Sequence, residues 1–298
     1  MINRMFFKRA LKQSFGWAAV LSAPFRSQAA QPTACILTYH RVAEVGFIDP
    51  QLDDWNVLPT TFAQQIAALA EAVEFVSLTD LRARLAAPSH GGKPLVCVTF
   101  DDGYANVLHQ ALPVLQRYRV PATIFLVTKY IGSELPLPFD RWSHKNQQRV
   151  SRHTWRALNW KEIETCLKSG LITVGAHSHQ HLDGRNCSVA QMVDEAAQSH
   201  DILLQTCGTQ HAEAYSYPYG STRLGEVSPA YVRAVRQSGF RLAVTTDLGL
   251  VKKSSHPLLL PRVEAHALDS GAVLRAKAIG ALAPFHVTDR LRQAARVG

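Results

Sequence analysis

Unbroken runs of apolar residues, separated by amphipathic stretches, organise most of this chain. The clearest run covers residues 95–100, where every residue is apolar or favours strands, and it stops at Asp101, Asp102 and Gly103. A continuous apolar run bounded by turn residues is typical of a strand buried on both faces, as in a parallel sheet. Runs of similar form predict further strands at residues 35–39, 75–78, 121–127, 171–175, 214–217, 240–245 and 258–260.

Apolar residues at helical spacing fill most of the intervals between these runs. Phe62 begins one such face, with Thr60 or Thr61 as its predicted cap. Helices are also predicted through residues 81–85, 104–118, 159–170, 188–207, 229–238 and 273–281, whereas residues 132–156 are predicted to be irregular. Strands that alternate with helices, without a long polar linker or an internal repeat, indicate one α/β domain with a parallel sheet.

The composition agrees with one folded domain, and the charge distribution indicates which classes of partner it can bind. Of the 298 residues, 47% are hydrophobic, which is too many for a disordered chain, and no uninterrupted apolar run is long enough for a convincing transmembrane helix. The net charge of +9 comes from the two ends, residues 1–30 and 271–298, and the residues between them are neutral overall. A neutral body argues against a nucleic-acid-binding domain, whereas basic ends fit contact with an anionic surface.

The amino-terminal segment, residues 1–33, has two readings. Ala29 and Ala30 are small residues near a point where a signal peptide could be cleaved. Residues 6–18 instead place phenylalanines and Leu11 at helical spacing between lysines and arginines, which is typical of an amphipathic helix at a membrane surface. We favour the surface helix, and therefore a cytoplasmic or peripheral membrane location over export to the cell envelope. The domain is predicted to span residues 34–284, followed by a basic tail at 285–298.

The five cysteines form no CxxC pair. An odd, scattered set is typical of reduced thiols in a core or on helices, so none is expected to bind a metal.

Candidate chemistry lies directly after two of the predicted strands. Asp101 and Asp102 should leave their strand end in different directions, so that one can bind a metal while the other handles a proton. His177 and His181 follow another strand, and two histidines with one carboxylate leave a position open for water or substrate, as a catalytic zinc requires. This pattern predicts metal-assisted hydrolysis of an amide or ester. The alternatives are a simple Asp-Asp-Gly turn and a surface cluster of histidines.

These residues resemble a known family. Residues 99–103 (TFDDG), His177-Ser178-x-x-His181 and residues 215–220 (YSYPYG) look like three successive motifs of the NodB-like polysaccharide deacetylases, carbohydrate-esterase family four. Residues 36–42 and 260–263 resemble the opening and closing motifs of a branch in which the motifs are circularly rearranged. The resemblance covers roughly residues 35–265 and implies a single-domain, distorted (β/α) barrel.

The resemblance also implies a set of roles. Asp101 would be the general base, and Asp102, His177 and His181 would bind the metal, usually zinc. The backbone N–H of Tyr219 would help to hold the oxyanion of the tetrahedral intermediate.

Two further roles are implied, and two departures affect them. His40 would be the acid that protonates the leaving amine, and Arg262 would pair with a site carboxylate such as Asp101. Ser216 stands where the family often has an arginine, and the usual Asp-x-x-Asp-Trp motif is absent, with at most a remnant at residues 246–247. The orienting contact to the base must therefore come from elsewhere or be absent.

The sequence thus predicts a metal-dependent deacetylase acting on N-acetyl, or alternatively O-acetyl, groups of a glycan. The missing motif keeps open a degenerate glycan-binding protein on the same scaffold, and a metal-dependent amidase acting on a small non-sugar substrate is the third reading. Trp55, Trp142 and Trp155 are either platforms for sugar rings or core residues. The glycan, the choice between zinc and another divalent metal, and the oligomeric state stay open.

Overall fold

The computed structural model describes residues 33–47, 55–87 and 92–281. Its strands are β1 (Thr33–Tyr39), β2 (Arg41–Val42), β3 (Asn56–Val57), β4 (Glu74–Phe75), β5 (Leu95–Phe100), β6 (Ala122–Leu126), β7 (Ile172–Ala176), β8 (Ala214–Ser216), β9 (Leu242–Leu248), β10 (Val251–Lys252) and β11 (Leu260–Glu264). Its α-helices are α1 (Pro59–Ala70), α2 (Leu81–Ala86), α3 (Leu112–Tyr118), α4 (Arg141–Asn146), α5 (Trp160–Lys168), α6 (Val189–Cys207), α7 (Pro229–Gln237) and α8 (Gly271–Ala278).

Seven parallel strands close into a barrel. The sheet runs in the order β10-β1-β11-β9-β8-β7-β6-β5-β4, and β1 also pairs with β5, which joins the two sides. This parallel pairing is continuous from Ala34 opposite Leu95 to Tyr39 opposite Phe100. The α/β barrel predicted from the motifs is therefore confirmed. Because Tyr39 and Phe100 are partners, the residues that follow them, His40 and Asp101, emerge side by side at the carboxyl ends of adjacent strands.

The barrel strands are buried, as their unbroken apolar runs predict. Every residue of β6 is buried, and so is every residue of β5 after Leu95. Helix α1 covers the outside with a stripe formed by Phe62, Ile66 and Leu69, each fully buried. The fold therefore positions strand ends rigidly, which is what a site built from those ends requires.

Several predicted boundaries are wrong. Helix α1 begins at Pro59 after Leu58 and has no side-chain cap, so neither of the predicted threonines caps it. It starts at the proline because the fixed φ of that residue suits the first helical turn. The segment predicted to be irregular contains α4, whose amino terminus is capped by Asp140. The helix expected directly after Gly103 begins as a π-helical turn at Val107–Ala111.

The two terminal segments predicted from the sequence lie almost entirely outside the described residues. The basic segment at 1–33 is described only at Thr33, and the tail at 285–298 not at all, so the surface helix and the location remain predictions. Among the helices that the structure describes, none combines the length and apolarity needed to cross a bilayer. All five cysteines are described, and each is a free thiol, as predicted.

Candidate active site

The predicted site residues meet at the carboxyl ends of the barrel strands. They surround a pocket of about 250 Å³. Six of the seven line it: His40, Asp101, Asp102, His177, His181 and Tyr219. The seventh, Arg262, is buried behind Asp101. The barrel therefore brings together groups that lie far apart in the sequence.

Three potential metal ligands converge in this pocket. Oδ1 of Asp102 lies 3.5 Å from Nε2 of His177 and 3.5 Å from Nε2 of His181. All three ligand atoms lie within 4.8 Å of one another. Nδ1 of His177 is 2.8 Å from the carbonyl oxygen of Ser216 and must donate to it, since a carbonyl can only accept. The lone pair of His177 Nε2 therefore faces Asp102, the arrangement that a metal-binding histidine requires.

Burial shifts the pKa of two of these residues, Asp102 and His181. Desolvation raises the pKa of Asp102 to about 6 and lowers the pKa of His181 well below its ordinary value. His181 stacks on Phe139, with ring centroids 3.7 Å apart and planes at 14°. Neutral imidazoles with one carboxylate form a donor set typical of zinc and similar divalent metals, so the residues present fit such an ion.

The backbone around the pocket adopts an uncommon conformation. Five non-glycine residues in the described part of the chain have a left-handed φ, and four belong to the site: Asp102 at 69°, Ser178 at 60°, His181 at 63° and Tyr219 at 60°. Such conformations are disfavoured for residues with a Cβ and persist where the surrounding structure imposes them. The surrounding structure therefore holds two of the candidate metal ligands in backbone conformations that they would seldom adopt alone.

Asp101 is held by a buried arginine. Arg262 donates from its two terminal nitrogens to the two carboxylate oxygens of Asp101, at 2.8 and 2.7 Å. Burial opposes ionisation of Asp101, but the charges of Arg262, His177 and His40 and the hydrogen bonds from Arg262 together hold the pKa of the carboxyl below its ordinary value. Asp101 is therefore ionised at neutral pH, with Oδ2 4.0 Å from Nε2 of His177.

Ser216 joins this network, a role that the sequence analysis missed. Its hydroxyl donates to Asp101 at 3.3 Å and accepts from Arg262 at 3.2 Å. Arg262 is fixed from behind because its Nε donates to the carbonyl oxygen of Thr245 at 2.9 Å. Arg262, which reaches Asp101 from β11, therefore supplies an orienting contact to this carboxylate although position 216 is a serine.

His40 follows β1 and packs its ring edge against Trp55, with centroids 4.6 Å apart. Burial, aided by the charge of Arg262, lowers the pKa of His40 to about 3, although the charge of Asp101 opposes that shift. His40 is therefore neutral at physiological pH before a substrate binds.

This neutral state gives His40 a measurable effect on stability. The unfolded chain binds a proton at His40 below about pH 6.5 and the folded chain does not, so stability falls as the pH drops through that range. Between about pH 7 and about pH 5, we expect the metal-free wild type to lose roughly 1–2 kcal/mol more than His40→Gln, measured by urea unfolding. Equal losses in the two proteins would contradict a neutral His40.

Tyr219 sits in a loop that the end of β9 holds in place. Its carbonyl oxygen accepts from the hydroxyl of Thr246 at 2.6 Å, and Asp247 accepts from the backbone N–H of Thr222 at 3.3 Å. Residues 246–247 therefore anchor this loop. Among the hydrogen bonds of the described residues, none has the Tyr219 N–H as donor, so this group is available to an oxyanion.

Aromatic side chains form the outer wall of the pocket. Trp55 and Trp142 both line it, whereas Trp155 is buried and donates its indole N–H to the carbonyl oxygen of Gln147. The wall is fixed by a buried ion pair between Arg41 and Asp140 that the sequence analysis did not find. Two of the three tryptophans are thus placed where a sugar ring could stack.

A second cluster, His109, His153 and Glu162, also brings ligand atoms within 4.8 Å of one another. Arg156 contacts Nδ1 of His153 at 3.0 Å and donates to both carboxylate oxygens of Glu162. A guanidinium thus lies where a cation would bind, and both histidines are exposed. The pocket cluster is therefore the better cation site.

Comparison with known proteins places these features in a family. The family model described as polysaccharide deacetylase matches residues 89–243, just over half of the chain. YxkH of Bacillus subtilis is 27% identical over 61% of this chain and 55% of its own length. The poly-beta-1,6-N-acetyl-D-glucosamine N-deacetylase of Staphylococcus aureus is 22% identical over 81% of each chain. The structure of the deacetylase PplD of Streptococcus pyogenes superposes with a TM-score of 0.66 at 21% identity, covering 84% of this chain and 99% of that one.

Proposed function

This chain belongs to the polysaccharide deacetylase family, and on that premise we propose that it is a metal-dependent hydrolase that removes N-acetyl, or alternatively O-acetyl, groups from a glycan. One observation carries the proposal: Asp102, His177 and His181 converge within 4.8 Å, with ionised Asp101 beside them in the same pocket. Relatives of this chain named as polysaccharide deacetylases support the substrate class.

Asp102, His177 and His181 would hold the metal. A divalent metal such as zinc polarises a carbonyl and lowers the pKa of water when it is bound in such a site. Three protein ligands leave at least one position open, which is the requirement for catalysis rather than for a purely structural site.

Asp101 is the proposed base. It accepts a proton from the attacking water, and the contacts from Arg262 and Ser216 keep its carboxylate ionised and oriented. Oδ2 accepts from Arg262 and from Ser216, whereas the described hydrogen bonds to Oδ1 come from Arg262 alone, so Oδ1 keeps a lone pair for that proton. The backbone N–H of Tyr219 donates to the oxyanion that forms on the substrate carbonyl.

His40 is the proposed acid for the leaving amine. It is neutral before the reaction, so the proton that it delivers must reach it during the reaction cycle. Asp101, which has then taken a proton from water, lines the same pocket and is the proposed source. Transfer of that proton to His40 returns Asp101 to its carboxylate form, and His40 then gives the proton to the leaving amine.

Acetate release from a panel of acetylated saccharides tests the proposal directly. The zinc-loaded protein is expected to release acetate from N-acetylated oligosaccharides, and a chelator should abolish the release. Turnover of small non-sugar amides alone would favour the amidase. Saccharide binding without turnover, unchanged by Asp101→Asn, would favour a glycan-binding protein.

Removing Arg262 separates its structural and catalytic contributions. Arg262→Met leaves the buried Asp101 carboxylate without its cation, so we expect a loss of about 3–5 kcal/mol in the free energy of unfolding. The same change should raise the pKa of Asp101 and disorient it, with a lower kcat as the result. Urea unfolding and acetate release measure the two effects.

The double variant Asp101→Asn/Arg262→Met provides the control. It removes both charges, so it should recover much of the stability lost in Arg262→Met while staying inactive. The exposed Arg233, changed to methionine, should alter neither property. A double variant that is no more stable than Arg262→Met would contradict a direct charge pair as the cause.

A further inference from the structure

The loop between the two candidate histidine ligands, residues 177–181, is anchored by a buried glutamate from a helix. Oε2 of Glu195 accepts from the backbone N–H of His179 at 3.0 Å and from that of Gln180 at 2.7 Å. Among the described residues, it is the only acceptor of these two N–H groups. We infer that Glu195 is a positioning residue of the metal site: it fixes the loop so that His177 and His181 face the same cation. This inference rests on the proposed function.

The position of Glu195 in its helix is unusual. The buried stripe of α6 consists of Met192, Glu195, Ala196, Ser199 and Leu203. Glu195 is only 3% exposed in a stripe that otherwise has no ionisable side chain. Burying a carboxylate is costly unless hydrogen bonds satisfy it. The two loop N–H groups satisfy the carboxylate. The helix thus supplies an acceptor for the loop amides, and the loop supplies donors for the buried acid.

The loop needs such an anchor because its own backbone is disfavoured. Ser178 and His181 both have left-handed φ values, of 60° and 63°. The opposite side of the loop is held by Thr128 and Lys129, whose N–H groups donate to the carbonyl oxygens of Ser178 and His179 at 3.3 and 3.0 Å. Those bonds fix the carbonyl side of the loop, whereas Glu195 fixes the amide side. His181 is also tied to the loop, because its N–H donates to the Ser178 hydroxyl at 2.8 Å. The two hydrogen bonds to Glu195 lie between the histidines in sequence, so losing them loosens the loop segment that sets His181 relative to His177.

The reach of the side chain, rather than its charge alone, should decide the effect. Aspartate at position 195 keeps the charge but is one methylene shorter, so it should not reach the amides. Glutamine keeps the length and one acceptor oxygen. Ser199 lies one helical turn further along the same buried stripe, and in the described part of the chain its hydroxyl donates to the carbonyl oxygen of Ala196, in its own helix. Ser199→Ala is therefore the matched control.

Two measurements test the inference. Hydrogen exchange at the amides of residues 179 and 180, in the metal-free protein, reports the anchor itself. Competition with a chelator reports the zinc dissociation constant. In Glu195→Ala and Glu195→Asp we expect about tenfold or greater acceleration of exchange at both amides, and a zinc dissociation constant raised about 10–100-fold. Glu195→Gln should lie between these variants and the wild type, and Ser199→Ala should match the wild type.

Each outcome of these measurements supports or overturns the role of Glu195. Protected amides and wild-type zinc affinity in Glu195→Ala or Glu195→Asp overturn the assignment. If Glu195→Ala does not fold, Glu195→Asp is compared with Glu195→Gln, and equal zinc affinity in these two also overturns it. A wild-type protein that binds no zinc overturns the proposed function instead, and the exchange measurement, made without metal, still decides whether Glu195 holds the loop.

Discussion

Asp101→Asn is expected to lower the rate of acetate release roughly 10²–10⁴-fold, the range that a positioned general base contributes. Asparagine has nearly the shape of aspartate but cannot accept a proton from the attacking water. The three candidate metal ligands are untouched, so zinc content should stay at the wild-type value. The measurement is acetate release at saturating saccharide, together with zinc per chain.

Asp201→Asn is the matched control for this change. It neutralises an exposed carboxylate on α6, and its activity should equal that of the wild type. The Asp101 variant is also expected to be less stable, because Arg262 then lies buried without its carboxylate. Assays must therefore be made well below its unfolding temperature. Acetate release within tenfold of the wild type would show that Asp101 is not the base.

Asp102→Asn is expected to remove most of the bound zinc and about 10³-fold or more of the activity, since metal activation of water and carbonyl is lost with the ion. The amide is a much poorer ligand than the carboxylate. Asparagine is preferred to alanine here because it tolerates the left-handed backbone, with φ of 69° at this position. Zinc per chain after dialysis and acetate release are measured together.

His179→Asn controls for disturbance of the same loop. His179 lies between the two candidate ligands, and its Nδ1 bonds to the hydroxyl of Thr128 at 3.0 Å, so asparagine can keep a similar contact. That variant should bind zinc and release acetate like the wild type. An Asp102→Asn protein that keeps one zinc per chain and full activity would contradict the ligand assignment.

The two predictions separate activity from metal binding. Asp101 and Asp102 are adjacent in sequence, yet Asp101 bonds to Arg262 whereas Asp102 faces His177 and His181. Neighbouring side chains leave a strand end in different directions, and Asp102, directly after Asp101, has a left-handed backbone. Loss of activity with zinc retained in one variant, and loss of both in the other, would be the signature of these separate roles.

The pattern of residues in the sequence determined the strands and the clusters at their ends. The unbroken apolar runs in β5 and β7 predict buried parallel strands. Polar residues directly after such strands must lie at one end of the barrel. Asp101, Asp102, His177 and His181 could therefore be grouped before any coordinates were known. The motif resemblance then supplied His40, Tyr219 and Arg262.

The tertiary structure decided the contacts that no local pattern encodes. The family resemblance implied that Arg262 pairs with Asp101, but these residues are 161 apart in sequence, and barrel closure between β1, β5 and β11 is what brings them together. Glu195 gave one local signal, an acid in a buried helical stripe, but its acceptor role depends on contact with the loop at residues 177–181. Periodicity reports the face that a residue presents, which is a local property. Contacts between strand ends depend on how the closed barrel sets the register of distant segments, and that is fixed only when all of them pack together.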